Sequence, residues 1–563
     1  AIASICSEIL NISNIGTHDS LFDLGGHSLS AMQIVGRVMK TFRVDVPLKG
    51  FYDAPTIAGL SALITSCRGI AAAAEDTPLA QDLTEPPTVI ELDRRIESFR
   101  EHPPISLPSL HVVARQRPIL PSIAQEPILQ LAQLFPGLHQ FNISTAYRLK
   151  GPLNLLILKQ SLTRLTDRHE ALRTVFSVEN GKRYQSIIES LSINLDVIDL
   201  HELRETERES KAKELFREEF QRPFDLADGP LFRVTVFRLS DDDHILAVTV
   251  HQAISDGWSM VIFFRDLSEF YRSSLQANHS QLPDLPVQYA DFAVWQREVL
   301  QVGLMGRQLS YWKKQLSEPV IPLEFSSRSR QGDEMSFFTA RKRFSISGEL
   351  YQSVKSLARE EKITPYSVLL TALNILLFRY FEEEDIRVGT LVANRRQTEV
   401  ENVIGHFVNT VILRTRVLKH LNFKNLAQRI REVVVSAQSN QDIPFEVLLQ
   451  SLENESTIRC DKLSPVLFIF QGLPPPVTLP NLTVNVLDDF QNAAAPEIAL
   501  TTFDLVLSIK EGSEGLTGFV LYKIFVFDEM MITRFIRNFE NLLERIVYDP
   551  NESVYTLCSS VEI

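Results

Sequence analysis

HILAVTVHQAISDGWSM, residues 244–260, decides how most of this chain is read. Its opening run, HILAVTV, is apolar and rich in β-branched residues, which predicts a strand. The strand runs into a polar loop that gathers His251, Asp256, Gly257 and Ser259. A lone histidine at a strand end is usually structural. One that shares its loop with a carboxylate, a glycine and a hydroxyl marks a candidate catalytic corner.

Outward from this corner, helices and strands alternate. LFRVTVFRL (231–239) predicts a neighbouring strand, and NLLILKQSLTRLTDRHEALR (154–173) a long amphipathic helix. ITPYSVLLTALNILLFRYF (363–381) predicts a strongly apolar helix, followed by the strand IRVGTLVA (386–393). This mixture, running from about residue 115 to the end, predicts two α/β lobes. On the N-terminal side the pattern fails. GIAAAAEDTPLAQDLTEPPTV (69–89) and HPPISLPSL (102–110) read as a linker rich in Ala, Pro and acidic residues, with ELDRRIESFREH (91–102) as a possible short helix inside it.

Before the linker lies a compact helical unit. Ile2, Ile5, Ile9 and Leu10 recur at helical spacing, and the polar, turn-rich NISNIGTHDS (11–20) follows. LFDLGGHSLSAMQI (21–34) then places two glycines, Gly25 and Gly26, just before Ser28, where a second helix is predicted to start. Pro55 opens PTIAGLSALI (55–64) at a helix-start position. Three or four short helices make a small bundle. A serine at a helix start is most often a cap, and a bare GGxS would be read that way.

Composition narrows the function classes. A chain of 563 residues is too long for one core, and 44% hydrophobic with 23% charged residues is ordinary globular usage. A net charge of −13 without a basic stripe argues against nucleic acid as a partner. Four cysteines (Cys6, Cys67, Cys460, Cys558), far apart, suggest neither a disulfide framework nor a zinc site, and no metal is expected. No signal peptide and no run of about 20 apolar residues is seen, so no membrane association is expected and the chain reads as cytoplasmic. No Gly-x-Ser-x-Gly elbow appears, which disfavours serine-hydrolase chemistry.

Residues 1–69 resemble the peptidyl carrier domains of nonribosomal peptide synthetases, with Phe22, Gly25, Gly26, Ser28 and Leu29 matching the core motif. The resemblance implies a 4'-phosphopantetheine arm on Ser28, placed by a phosphopantetheinyl transferase, with His27 a bystander. The rest of the chain resembles the condensation domains of the same synthetases through a series of motifs in order. These are LPSIAQEP (120–127), RHEALRTVF (168–176), YADFAVWQR (289–297), ANRRQTEVENVIGHFVNT (393–410), QDIPFEVLLQ (441–450) and, loosely, LSPVLFIFQG (463–472). The implied fold is a four-helix carrier bundle followed by an α/β (α+β) pair of chloramphenicol-acetyltransferase-like lobes in a V. The expected domains are carrier 1–69, linker 70–114, N-terminal lobe 115–290 and C-terminal lobe 291–563. The implied function is an acyl or peptidyl transferase. An acyl thioester on Ser28 would form an amide bond with an aminoacyl thioester brought by a downstream acceptor carrier, beside adenylation domains of the same synthetase. Because the chain opens inside the first carrier helix and has no adenylation domain, it is read as a fragment.

One departure puts the chemistry in doubt. The family motif is His-His-x-x-x-Asp-Gly, and its second histidine is credited with catalysis. Here His251 is followed by Gln252. An imidazole, with a pKa of about 6.5, can accept the proton lost by an attacking amine. An amide cannot, so impaired condensation is expected. Three accounts of Gln252 stay open: an introduced substitution, natural decay, or a variant using another base. A non-catalytic docking domain is the alternative function and epimerisation a less favoured one, while heterocyclisation is disfavoured because His251 remains. By resemblance, Asp256 is structural and needs a cationic partner, Arg173 or Arg395. Gly257 allows close approach and lies near an N–H that can stabilise an oxyanion. Ser259 is a local cap. Asn409 supports the site, and His169, His406, Trp295 and Trp312 are structural.

Overall fold

The computed structural model describes residues 1–10, 12, 14–24, 26, 28–42, 44, 46–75, 109–115, 118–135, 137, 139–301, 305–316, 339–455, 463–487, 490, 503–512 and 514–561. By its contacts the chain divides into two units, one holding residues 1–109 and the other most of the residues after 109. The first unit carries helices α1 (Ile2–Leu10), α2 (Ser28–Phe42), α3 (Leu48–Asp53) and α4 (Ile57–Glu75). Ile5, Cys6, Ile34, Val38, Phe51 and Leu60 are buried in its core. Helix α4 continues through residue 75, six residues into the stretch expected to be linker. The reason is local: that stretch is IAAAAE, and alanine is the strongest helix former. The expected short helix at 91–102 falls outside the described residues.

The second unit is α/β, as its alternating pattern predicts. In chain order it contains α5 (Gln125–Leu134), β1 (Asn142–Lys150), α6 (Leu155–Arg168), β2 (Thr174–Glu179), β3 (Lys182–Ile187), β4 (Asp196–Asp199), α7 (Glu205–Gln221), β5 (Phe232–Ser240) and β6 (Asp243–His251). Then come α8 (Gly257–Leu275), α9 (Tyr289–Gln301), α10 (Gly306–Leu316), β7 (Thr339–Ser347), α11 (Gly348–Glu360), α12 (Pro365–Phe381), β8 (Asp385–Val392), β9 (Asn409–Arg416), α13 (Phe423–Ser439) and α14 (Phe445–Glu455). Strands β10 (Val466–Gln471), β11 (Thr483–Val486), β12 (Leu505–Gly512) and β13 (Gly515–Lys523) and helices α15 (Glu529–Tyr548) and α16 (Val554–Ser559) complete it. The long helix expected over 154–173 stops at Arg168 and tightens into a 3-10 turn, Glu170–Arg173.

Among the described residues, one sheet has the order β11-β1-β6-β5-β4 and another the order β7-β13-β12-β10-β8-β9. The first sheet therefore takes its edge strand from the second half of the chain, and Phe490 follows it into the core against Phe216 and Phe237. A boundary at 290 divides the sequence but not this sheet. In the other sheet the apolar helix α12 is buried along almost its whole length, with Val368, Leu369, Ala372, Leu373, Ile375 and Leu376 sealed from solvent. That burial accounts for its all-round apolar character. No single helix among the described residues is long and apolar enough to cross a membrane.

Candidate functional site

Strand β6 ends on His251, and a 3-10 turn, Gln252–Ile254, carries the chain to helix α8. The turn is pinned from several sides. The Gln252 N–H donates to the Phe141 carbonyl at 2.7 Å, and the Gln125 amide donates to the Ala253 carbonyl at 2.6 Å. His251 is 2% exposed, with the rings of Phe141 and Phe224 edge-on to it at 6.0 Å. Its Nδ1 accepts the Ala253 N–H at 3.2 Å, so the proton of the neutral ring lies on Nε2. Burial above all, then nearby His406 and Arg233, pushes His251 down to about 3. His251 is therefore a fixed neutral donor. Gln252 differs: its side chain is half-buried and makes no hydrogen bond among the described residues.

Asp256 caps α8. Its Oδ1 accepts the Ser259 N–H and O–H, both at 2.7 Å, and its Oδ2 accepts the Phe407 N–H at 3.0 Å. A carboxylate at a helix N-terminus is favoured by the helix dipole as well as by these bonds. Ser259 extends the tie: its Oγ also lies 2.8 Å from the Gly405 carbonyl, so its one proton is shared between that oxygen and Asp256, and it accepts the Gly405 N–H at 3.1 Å. The loop after β6 is thus fastened to the loop before β9. Gly257, the first residue of α8, is exposed, and a Cβ built there meets nothing within 4 Å.

Arg173 does not pair with Asp256. Its guanidinium donates to the carbonyls of Thr166, Ile188 and Glu189 and braces its own 3-10 turn. Charge complementarity suggested the pairing, but nearby main-chain acceptors satisfy the cation instead. Arg395 is buried, 1% exposed. Asn409 is the first residue of β9. Its amide donates to the Gln441 and Ile443 carbonyls and accepts the Phe445 N–H, which ties β9 to the start of α14.

Three groups that sequence reasoning gave no role hold the corner together. Tyr289 Oη donates to the His406 carbonyl at 2.6 Å and accepts from Ser122 Oγ at 2.8 Å. Gln125 links the 120–127 segment to the turn at Gln252. Gly405 is the third, because a Cβ there would lie 1.9 Å from the Tyr289 ring. No spacing could reveal these partners, since Tyr289 and His406 are 117 residues apart. Gly405→Ala is expected to lower stability by about 1–3 kcal/mol through overpacking and to slow any transfer at the corner. A denaturant midpoint within error of the parent would refute this.

In the first unit, Ser28 is the first residue of α2. Gly26 closes the preceding turn, donating its N–H to the Leu21 carbonyl at 2.9 Å, and a Cβ at Gly26 would lie 2.3 Å from that same oxygen. Phe22 stacks on Tyr52 at 5.3 Å, which fixes the other side of the turn. The N-terminal end of a helix favours a phosphodiester, so the position fits a phosphopantetheine arm. Gly25 and His27 lie outside the described residues.

Comparison with known proteins agrees with both readings. Residues 116–562 match the condensation domain family and residues 1–64 match the phosphopantetheine attachment site. The chain belongs to the condensation domain family and carries a phosphopantetheine attachment domain ahead of it. A linear gramicidin synthase subunit from Brevibacillus parabrevis is 34% identical over 559 residues, 99% of this chain and 10% of that protein. Malpibaldin synthetase of Mortierella alpina is 31% identical over 567 residues, again 10% of its length. The chain thus spans about a tenth of these relatives. The X-domain from teicoplanin biosynthesis has the same fold, with a TM-score of 0.68 at 23% identity, over 81% of this chain and 100% of that one. The first condensation domain of the calcium-dependent antibiotic synthetase matches with a TM-score of 0.65 at 17% identity, over 80% of this chain and 100% of that one.

Proposed function

We propose that this chain is a donor-side carrier and the condensation domain that follows it in a nonribosomal peptide synthetase. Ser28 bears the phosphopantetheine arm, whose thiol holds the acyl or peptidyl group as a thioester. The condensation domain then joins that group to an aminoacyl thioester on a downstream acceptor carrier. The single observation that carries this reading is the match over 559 residues, spanning both the attachment domain and the condensation domain of this chain, to a linear gramicidin synthase subunit. Adjacent adenylation domains and a phosphopantetheinyl transferase are the partners this arrangement needs.

The corner's residues divide the work. Asp256 and Ser259 hold the loop, Gly257 leaves room beside the first N–H of α8, and His251 offers Nε2–H as a donor. The missing general base lowers the expected rate by about 10²–10⁴, while orientation of two tethered substrates still contributes. A second reading, a condensation-like docking domain without turnover, is favoured by Gln252 alone. The test is to load Ser28 with an acyl arm, add a carrier bearing an aminoacyl arm, and weigh both proteins intact. The acyl group should leave Ser28 and appear on the acceptor. Unchanged masses on both, in this chain and in Gln252→His, would sink the condensation reading.

A further inference from the structure

Helices α11 and α15 pack on one side of the sheet β7-β13-β12-β10-β8-β9. Strand β13 shows this in its alternation: Leu516, Val520 and Tyr522 are buried, while Thr517, Phe519 and Leu521 on the other side keep some exposure. On β7, Lys342 stands opposite Val520 on the helix side and pairs with Glu529 of α15 at 2.6 Å. Arg341 and Arg343 therefore share the other side, opposite Leu521 and Phe519. Leu521 and Ile469 pack there against Leu467, Phe503 and Val506 in a small apolar cluster.

Neither arginine makes an ion pair among the described residues, in a chain with 70 acidic against 57 basic residues. Arg341 lies over the Phe519 ring, 3.5 Å from its centroid, and its Nε and Nη1 are sealed from solvent with no acceptor. Burial above all, then repulsion from Arg343, pushes Arg341 down to about 10. A desolvated cation without a counter-charge costs stability, and stacking on Phe519 offsets only part of that cost. The donors left over define what would fit. Arg341 has Nη2 to offer, and the exposed Arg343 a two-pronged fork. Three acceptor oxygens would engage both; a phosphate monoester has three, and a carboxylate is filled by one fork.

We infer that Arg341 and Arg343 hold the phosphate of an organic phosphate monoester, its carbon chain lying along Leu521 and Ile469. The phosphate supplies the counter-charge that the two arginines lack, and the half-buried apolar side chains beside them take the rest of the ligand. This site stands on β7 and β13, so it does not depend on the transfer reading of the corner at His251.

The test is titration calorimetry and melting of the whole chain with butyl phosphate, butyrate and inorganic phosphate, all at one ionic strength. Butyl phosphate should raise the melting temperature. It should bind about tenfold tighter than butyrate, which lacks the third oxygen, and than inorganic phosphate, which lacks the chain. Arg343→Gln and Arg341→Met should each weaken butyl phosphate by about 10- to 100-fold. Without ligand, Arg341→Met should melt no lower than the parent, because methionine keeps the stem packed on Phe519 and removes the unpaired cation. Butyrate binding as well as butyl phosphate would reduce the site to plain anion attraction and overturn the proposal. Inorganic phosphate binding equally well would overturn it by removing the apolar half. So would a variant that binds like the parent, or an Arg341→Met protein that melts lower, which would make the guanidinium a structural stack.

Discussion

Ser28→Ala is expected to take up no phosphopantetheine arm at all, whereas the parent chain gains one arm per molecule. The ester needs a side-chain hydroxyl at the start of α2, and alanine removes that atom while keeping a good helix former. Transfer from the tethered donor should fall to the blank. Transfer from a soluble acyl-pantetheine donor should persist, because Ser28 lies in the first unit and the corner at Gln252 in the second. Helix content should change little, since losing a serine at a helix start costs about 0.5–2 kcal/mol even when it caps. Intact mass after incubation with coenzyme A and a phosphopantetheinyl transferase reads the result. An arm still attached in Ser28→Ala would place the modification elsewhere and remove the main reason for calling this unit a donor carrier.

What could be read ahead of the structure was what local spacing encodes. The apolar periods gave strands β5 and β6, which lead to His251, and the buried helix α12, because a segment's own face pattern records what it packs against. The turn before Ser28 was legible for a similar reason: its glycine is demanded by a contact with Leu21, only five residues away. Long-range bonds left no such mark. Asp256 meets the Phe407 N–H across 151 residues, and Tyr289 reaches Ser122 across 167. Arg173 was one of two arginines, with Arg395, offered as the partner of Asp256, and carbonyls within 16 residues claimed it instead. Likewise β11 joins β1 over more than 300 residues of chain, which no periodicity could foretell.

Gln252→His is expected to accelerate transfer by about 10²–10⁴ at neutral pH, the usual worth of a general base. At 1.36 kcal/mol per decade this is about 3–5 kcal/mol of transition-state stabilisation. The gain depends on the new imidazole staying basic, and position 252 allows this. His251 is sealed among Phe141, Phe224 and the sheet and is pushed down to about 3. Residue 252 is only half-buried, so a histidine there should titrate near its ordinary value of about 6.5. The sign of the pH effect can be worked out from this. Protonation of the amine slows both proteins equally as pH falls, so it cancels from the ratio of their rates. Protonation of the new imidazole slows only the variant. The ratio should therefore be flat above about pH 7 and fall about tenfold per unit below 6.5. A flat ratio across the whole range would mean that the histidine gains through orientation and not as a base. A ratio of one would mean that the glutamine already supplies everything the corner contributes.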